Sequence, residues 1–142
     1  FFDPVKKLYI LQRADNKLLL INPVTGTTTK TVDIGKPLIN VVYDTDKGNL
    51  ISLVPASEPG ICLIEVYKPA TGELISSKQV TGFDSYNYCI CAYDPGTKCY
   101  LAVNSDNEVM FIDPDTGEIA KKVKLDYQLN DIRFLRKQVE SF

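Results

Sequence analysis

Two short patterns, each repeated three times in phase, constrain this 142-residue chain more than any other feature. The segments Ile21-Asn22-Pro23-Val24-Thr25-Gly26, Tyr67-Lys68-Pro69-Ala70-Thr71-Gly72 and Ile112-Asp113-Pro114-Asp115-Thr116-Gly117 each set a proline three residues before a glycine. Their glycines lie 46 and then 45 residues apart. The second motif keeps the same phase: Phe2-Asp3-Pro4, Tyr43-Asp44-Thr45 and Tyr93-Asp94-Pro95. Five or six residues further on stand Leu8-Tyr9-Ile10, Leu50-Ile51-Ser52 and Cys99-Tyr100-Leu101. Two motifs in register three times mark an internal repeat, and a unit of about 45 residues buries its apolar face only by stacking on a neighbour.

Each motif is a turn by its chemistry. Proline presets φ at the first central position, glycine accepts the positive φ that closes the turn, and Asp or Asn caps it through the side chain. The flanking runs are rich in Val, Ile, Leu, Tyr and Thr, which suit a pleated surface. No segment holds a helical period over three turns; Lys121–Leu125 and Arg133–Val139 come nearest, and the first occupies a strand position in the other units.

Aligned, the units give four strands each. The second predicts strands at Leu38–Tyr43, Asn49–Val54, Gly60–Tyr67 and Leu74–Val80. The third predicts Tyr88–Tyr93, Lys98–Val103, Glu108–Ile112 and Ile119–Leu125. The first supplies Lys7–Gln12, Lys17–Ile21 and Thr28–Ile34, with only Phe1 and Phe2 left of its opening strand. Leu129-Asn130-Asp131-Ile132-Arg133-Phe134 falls where another opening strand would begin, Asn130 standing 90 residues after Asn40. The organisation is a single all-β module: a first unit at about 1–37 lacking its first strand, units at 38–83 and 84–126, and an extra strand within 127–142.

The x-D-P-x-T-G turn and the Y-D-x(4–5)-L-Y hairpin resemble those of β-propeller repeats of the YVTN or quinoprotein-like type, similar in general appearance to WD and NHL repeats. The resemblance covers essentially the whole chain and implies three four-stranded antiparallel blades. It departs from WD repeats, because the chain has no Trp and no His.

Propellers close with about four to eight blades, so three blades imply assembly. Two readings stay open. Two copies join head to tail as a six-bladed ring, the last strand of one completing the first blade of the other. Or the chain is part of a larger propeller, its opening at Phe1-Phe2-Asp3-Pro4 being a processed terminus or a cut edge.

Composition narrows function further. The net charge of −2 is spread over 16 basic and 18 acidic residues with no basic run, so no footprint for nucleic acid exists. Apolar runs such as Leu18–Ile21 and Ile61–Ile64 are far too short to cross a bilayer as helices. The absence of histidine removes Ser-His-Asp and Cys-His nucleophile pairs, His-based metal sites and the usual proton shuttle. Neither the four cysteines nor the absence of an N-x-S/T sequon assigns a redox compartment.

Each remaining candidate has a packing explanation beside a functional one. Cys89 and Cys91 share a strand face and Cys99 opens the next strand, which suits a thiophilic metal or a redox pair; small apolar residues filling a core between blades explain Cys62, Cys89, Cys91 and Cys99 as well. Asp44–Asn49 and Asp113–Gly117 resemble pieces of calcium loops but lack the twelfth-position Glu, and Asp94–Thr97 reads as the same kind of solvated turn. Phe83, Tyr86 and Tyr88 suit a glycan or peptide contact, or staple neighbouring blades. Asp84 and Asp106 are the acid–base pair an enzyme would need, but nothing in the sequence couples them.

The resulting expectation is a non-catalytic binding or structural scaffold with no cofactor and no catalytic or metal-binding residues. Its partner is a protein, either a second copy or the rest of a larger propeller, with Ser57–Gly60 and Gly82–Tyr88 presenting the contact surface. The alternatives are a propeller enzyme or sensor with a pocket on the ring axis, and a carbohydrate-binding propeller.

Overall fold

The structure, a computed structural model, describes residues 1–82 and 90–132. Its elements are all β and form three four-stranded antiparallel sheets in chain order. The first holds β1 (Phe2–Asp3), β2 (Leu8–Gln12), β3 (Lys17–Ile21) and β4 (Thr28–Asp33). The second holds β5 (Val41–Asp44), β6 (Asn49–Pro55), β7 (Ile61–Lys68) and β8 (Glu73–Thr81). The third holds β9 (Ile90–Asp94), β10 (Cys99–Val103), β11 (Glu108–Ile112) and β12 (Ile119–Lys124). No barrel closes. Three sheets of this kind fit a propeller-like arrangement. The opening strands draw together: β5 lies beside β9, and Phe2, Val42 and Tyr93 line one groove. The closing strands β4 and β8 bury one residue each, Val32 and Val80, and β12 buries none.

The turns form as their sequences dictate. Asp3 Oδ1 accepts the backbone N–H groups of Val5 and Lys6, and Asp44 Oδ1 those of Asp46 and Lys47. Asn22 and Asp113 cap the turns between third and fourth strands in the same way. Gly26, Gly72 and Gly117 close these turns at φ of 69°, 75° and 79°.

The register corrects the sequence alignment at one place. Asp3 pairs with Leu8, Asp44 with Asn49 and Asp94 with Cys99, so Asn49 rather than Leu50 matches Leu8 and Cys99. Tyr9, Leu50 and Tyr100 are then the equivalent residues. Two further expectations change, both at opening strands. The second unit's opening strand starts at Val41, not Leu38, because Asn40 takes a positive φ of 50° and turns the chain out of strand geometry. Leu129–Ile132 carry no strand pairing, and the rest of the strand expected there lies outside the described residues. The first unit does carry an opening strand, of two residues.

Period-two alternation gives every sheet two faces. The leading face of the first sheet (Ile10, Leu18, Leu20 and Val32) packs on the trailing face of the second (Tyr43, Leu50 and Tyr67), with Leu38 between them. The leading face of the second (Ile51, Leu53, Ile64, Val66 and Val80) packs on the trailing face of the third (Tyr93, Tyr100, Ala102, Met110 and Ile112). The molecule is one kind of junction used twice.

Candidate functional site

Both junctions repeat the same contacts. The Tyr43 hydroxyl of the second sheet hydrogen-bonds Asp3 of the first, and the Tyr93 hydroxyl of the third bonds Asp46 of the second at 3.2 Å, with Asp44 alongside. Burial, then the facing carboxylates, push both phenols up. Burial also pushes the Asp3 carboxyl up, but the N–H groups of Lys6 and Val5, the Tyr43 hydroxyl and the Lys6 ammonium outweigh it and hold the group below the ordinary carboxylate value.

The glycine turns seal the outer part of each junction. A Cβ on Gly72 would stand 2.5 Å from the Asp33 carbonyl oxygen, and one on Gly117 would stand 2.4 Å from that of Gln79. Asp33 and Gln79 occupy the same place on β4 and β8. Lys30 donates to the Ala70 carbonyl at 2.6 Å across the first junction, while Lys47 pairs with Asp115 at 3.0 Å across the second.

One charged pair is specific to the first junction. Glu65, only 3 % exposed, accepts from Lys36 at 2.7 Å and from the Tyr67 hydroxyl at 2.8 Å. Burial lowers the Lys36 ammonium, but the bonds to Glu65 and Tyr67 and the charge of Glu65 together outweigh it, and the group ends above its ordinary value. A buried carboxylate needs such partners, since removing one leaves an uncompensated charge.

The trailing face of the first sheet has no neighbour among the described residues. Phe2, Tyr9 and Ile21 lie in register across it, as do Leu11 and Leu19. Tyr9 is 46 % exposed where its equivalents Leu50 and Tyr100 are 1 % and 0 %. Leu11 is 45 % exposed where Ser52 and Ala102 are fully buried. Phe2, at 44 %, tilts against Tyr9 with ring centroids 5.2 Å apart. Each half-exposed side chain of this size leaves about 1 kcal/mol of burial unrealised. Gly26 completes the surface, since a Cβ there meets nothing within 4 Å.

Two concavities open on the surface. The groove along the opening strands is about 320 Å³, shallow and lined by Phe1, Phe2, Val41, Val42, Tyr43, Thr45, Cys91, Ala92 and Tyr93, with no carboxylate. The cleft of about 550 Å³ between the second and third sheets gathers Asp44, Asp46, Asp113 and Asp115 with Lys47 and Lys98. Its carboxylates already accept bonds from turn N–H groups, Tyr93 and Lys47. Among the described residues no three Cys, Asp or Glu converge as metal ligands.

The remaining sequence candidates separate. Cys91 pairs with Ala102 on the trailing face of the third sheet, whereas Cys99 pairs with Asp94 on the other face, so these two do not form a cluster. Cys62 is buried in the junction between the second and third sheets. Asp106 lies exposed at a turn tip, its N–H donating to Asn104. Ser57–Pro59 are exposed, and Gly60 accepts from the Gly82 N–H at 3.1 Å. Phe83, Asp84, Tyr86, Tyr88 and Cys89 lie outside the described residues, as do Arg133–Val139 and the last two residues of the Leu129–Phe134 strand.

Sequence reasoning missed the open trailing face and the Glu65–Lys36 pair. The first was within reach once the units were aligned by Asp3, Asp44 and Asp94. The second had one signal, an acid inside the apolar run Leu63-Ile64-Glu65-Val66. Neither a protein-family model nor a curated protein matches the sequence.

Proposed function

We infer that the chain is a non-catalytic binding or scaffold module of the propeller type, akin to YVTN or quinoprotein-like repeats, which joins its sheets to a protein partner. The observation that carries this is the trailing face of the first sheet. Phe2, Tyr9 and Leu11 stand half exposed at positions that the two internal junctions seal. Contiguous apolar surface of this kind is characteristic of protein contact.

The same reading gains support where the sheets' opening strands meet. An enzyme or sensor working from the ring axis calls for a deep polar pocket with convergent carboxylates. Among the described residues the groove is open, mostly aromatic and aliphatic, and lined by no acid.

A photo-reactive phenylalanine analogue tests the inference when placed at Leu11 and, as a control, at Ile75, which is 50 % exposed on β8. In cells making the protein, irradiation is expected to give a protein adduct from position 11 and none from position 75. No adduct from position 11, or equal adducts from both, rejects the reading.

A further inference from the structure

We propose that the occupant of the first sheet's trailing face is the third sheet of a second copy of this chain, docked head to tail. This rests on the scaffold reading and names its partner.

Three details of the two surfaces match. The first is a complementary exception. Tyr43 and Tyr93 each carry a hydroxyl to an acid on the preceding sheet, and Asp3 and Asp44, beneath them, are 6 % and 3 % exposed. The first sheet has Phe2 at this position, with no hydroxyl to give. The third sheet's hairpin acid, Asp94, needs none: its Oδ1 accepts the Gly96 N–H at 2.9 Å and its Oδ2 the Thr97 hydroxyl at 2.6 Å. The one aromatic without a donor is thus matched to the one hairpin acid that is satisfied within its own turn.

The second is the lysine. Lys30 reaches from β4 to the Ala70 carbonyl of the next sheet's turn. Lys121 holds the same register position on β12, opposite Phe111 as Lys30 is opposite Leu20. The counterpart of Ala70 on the open side is Val24, in a turn that nothing covers. The third is space. Gly72 and Gly117 sit over Asp33 and Gln79, whose counterpart on the third sheet is Lys124, paired with Glu108. Gly26 keeps the same left-handed turn with room for that strand's carbonyl.

Leu101 and Val103 on the third sheet are already buried, so the contact takes the rim of that face, from the Asp94 turn to Phe111, Lys121 and Val123. The contact is heterologous, the case that closes only at a fixed number of copies. Two copies bring three sheets and three together, a number within the range at which propellers close.

Sedimentation equilibrium on the full chain tests this across a wide concentration range. The wild type is expected to approach twice its 15.9 kDa mass on concentration. Gly35→Ala is expected to behave likewise, because Gly35 has the same positive φ and equally open surroundings but lies off the contact. Gly26→Ala and Lys121→Glu are expected to remain monomeric at concentrations where Gly35→Ala is at least half dimeric. Circular dichroism of each variant identifies any loss caused by unfolding. A wild type that stays monomeric throughout overturns the proposal, and so does dimerisation of Gly26→Ala at wild-type strength. A dimer unaffected by Lys121→Glu means that two first sheets meet face to face, and also overturns it. Should position 11 capture only other proteins while the purified chain stays monomeric, the second-copy proposal falls and the scaffold reading stands.

Discussion

Gly117→Ala and Gly26→Ala make the same chemical change in the same turn, yet their costs should differ several-fold. Both glycines hold φ near +70 to +80°, at 79° and 69°. An alanine there costs about 1 kcal/mol in backbone conformation. At position 26 the bill ends there, since the added methyl touches nothing within 4 Å. At position 117 the methyl lands 2.4 Å from the Gln79 carbonyl oxygen and 3.1 Å from the Lys78 Cβ. The contact is with backbone inside a paired strand, so the turn must lift off β8, adding roughly 1–3 kcal/mol of overpacking. The total at 117 is about 2–4 kcal/mol against about 1 at 26, a large part of the roughly 5–15 kcal/mol that holds such a domain folded. Urea unfolding followed by circular dichroism measures both, at a dilution that keeps the chain monomeric. Equal costs, or a loss at position 117 no greater than at 26, would refute the repeated-junction account.

Other expectations concern charge. Lys36→Met should cost roughly 1–3 kcal/mol, because Glu65 stays buried with Tyr67 beside it while the half-exposed lysine is partly screened by water; Lys36→Met combined with Glu65→Met should cost clearly less than the single change, and urea midpoints of the two variants decide. Tyr93→Phe should lose about 1 kcal/mol by removing the bond to Asp46, and an unchanged midpoint would contradict the lock between sheets. Asp3 is held below its ordinary value, so the stability it contributes is present above about pH 4 and fades as pH falls toward the lower folded value; Asp3→Asn should flatten that acid limb in a stability–pH curve. Tyr43 is raised, so its contribution is complete below about pH 10 and fades above it, and Tyr43→Phe should flatten the alkaline limb.

Local chemistry made much of the fold legible. Asn22, Asp113 and their glycines announce turns, and alternating Val, Ile and Leu between them announce strands; β3 and β11 fall on the predicted residues. Side-chain pattern hides the place of Asn49, because Leu50 resembles Leu8 more closely, whereas the pairing of Asp44 with Asn49 is set by turn length. The two-residue β1 shows that Asp3 and its turn bonds extend the opening strand beyond what side-chain pattern indicates. Cysteine spacing left metal binding and packing both open, because register alone decides which face Cys91 and Cys99 take. The contact surface was only half legible. The surplus of apolar residues on β2 is visible in the sequence, but that Tyr9 and Leu11 stay uncovered while Leu50 and Tyr100 do not depends on the stacking order of sheets.

Leu11 lies in a surface built to be covered. Thiol labelling of Leu11→Cys, read by peptide mass spectrometry beside an Ile75→Cys control, tests that claim most directly. The predicted result is a labelling rate at position 11 that falls as protein concentration rises, with position 75 unaffected. Equal and concentration-independent rates at the two positions would contradict it.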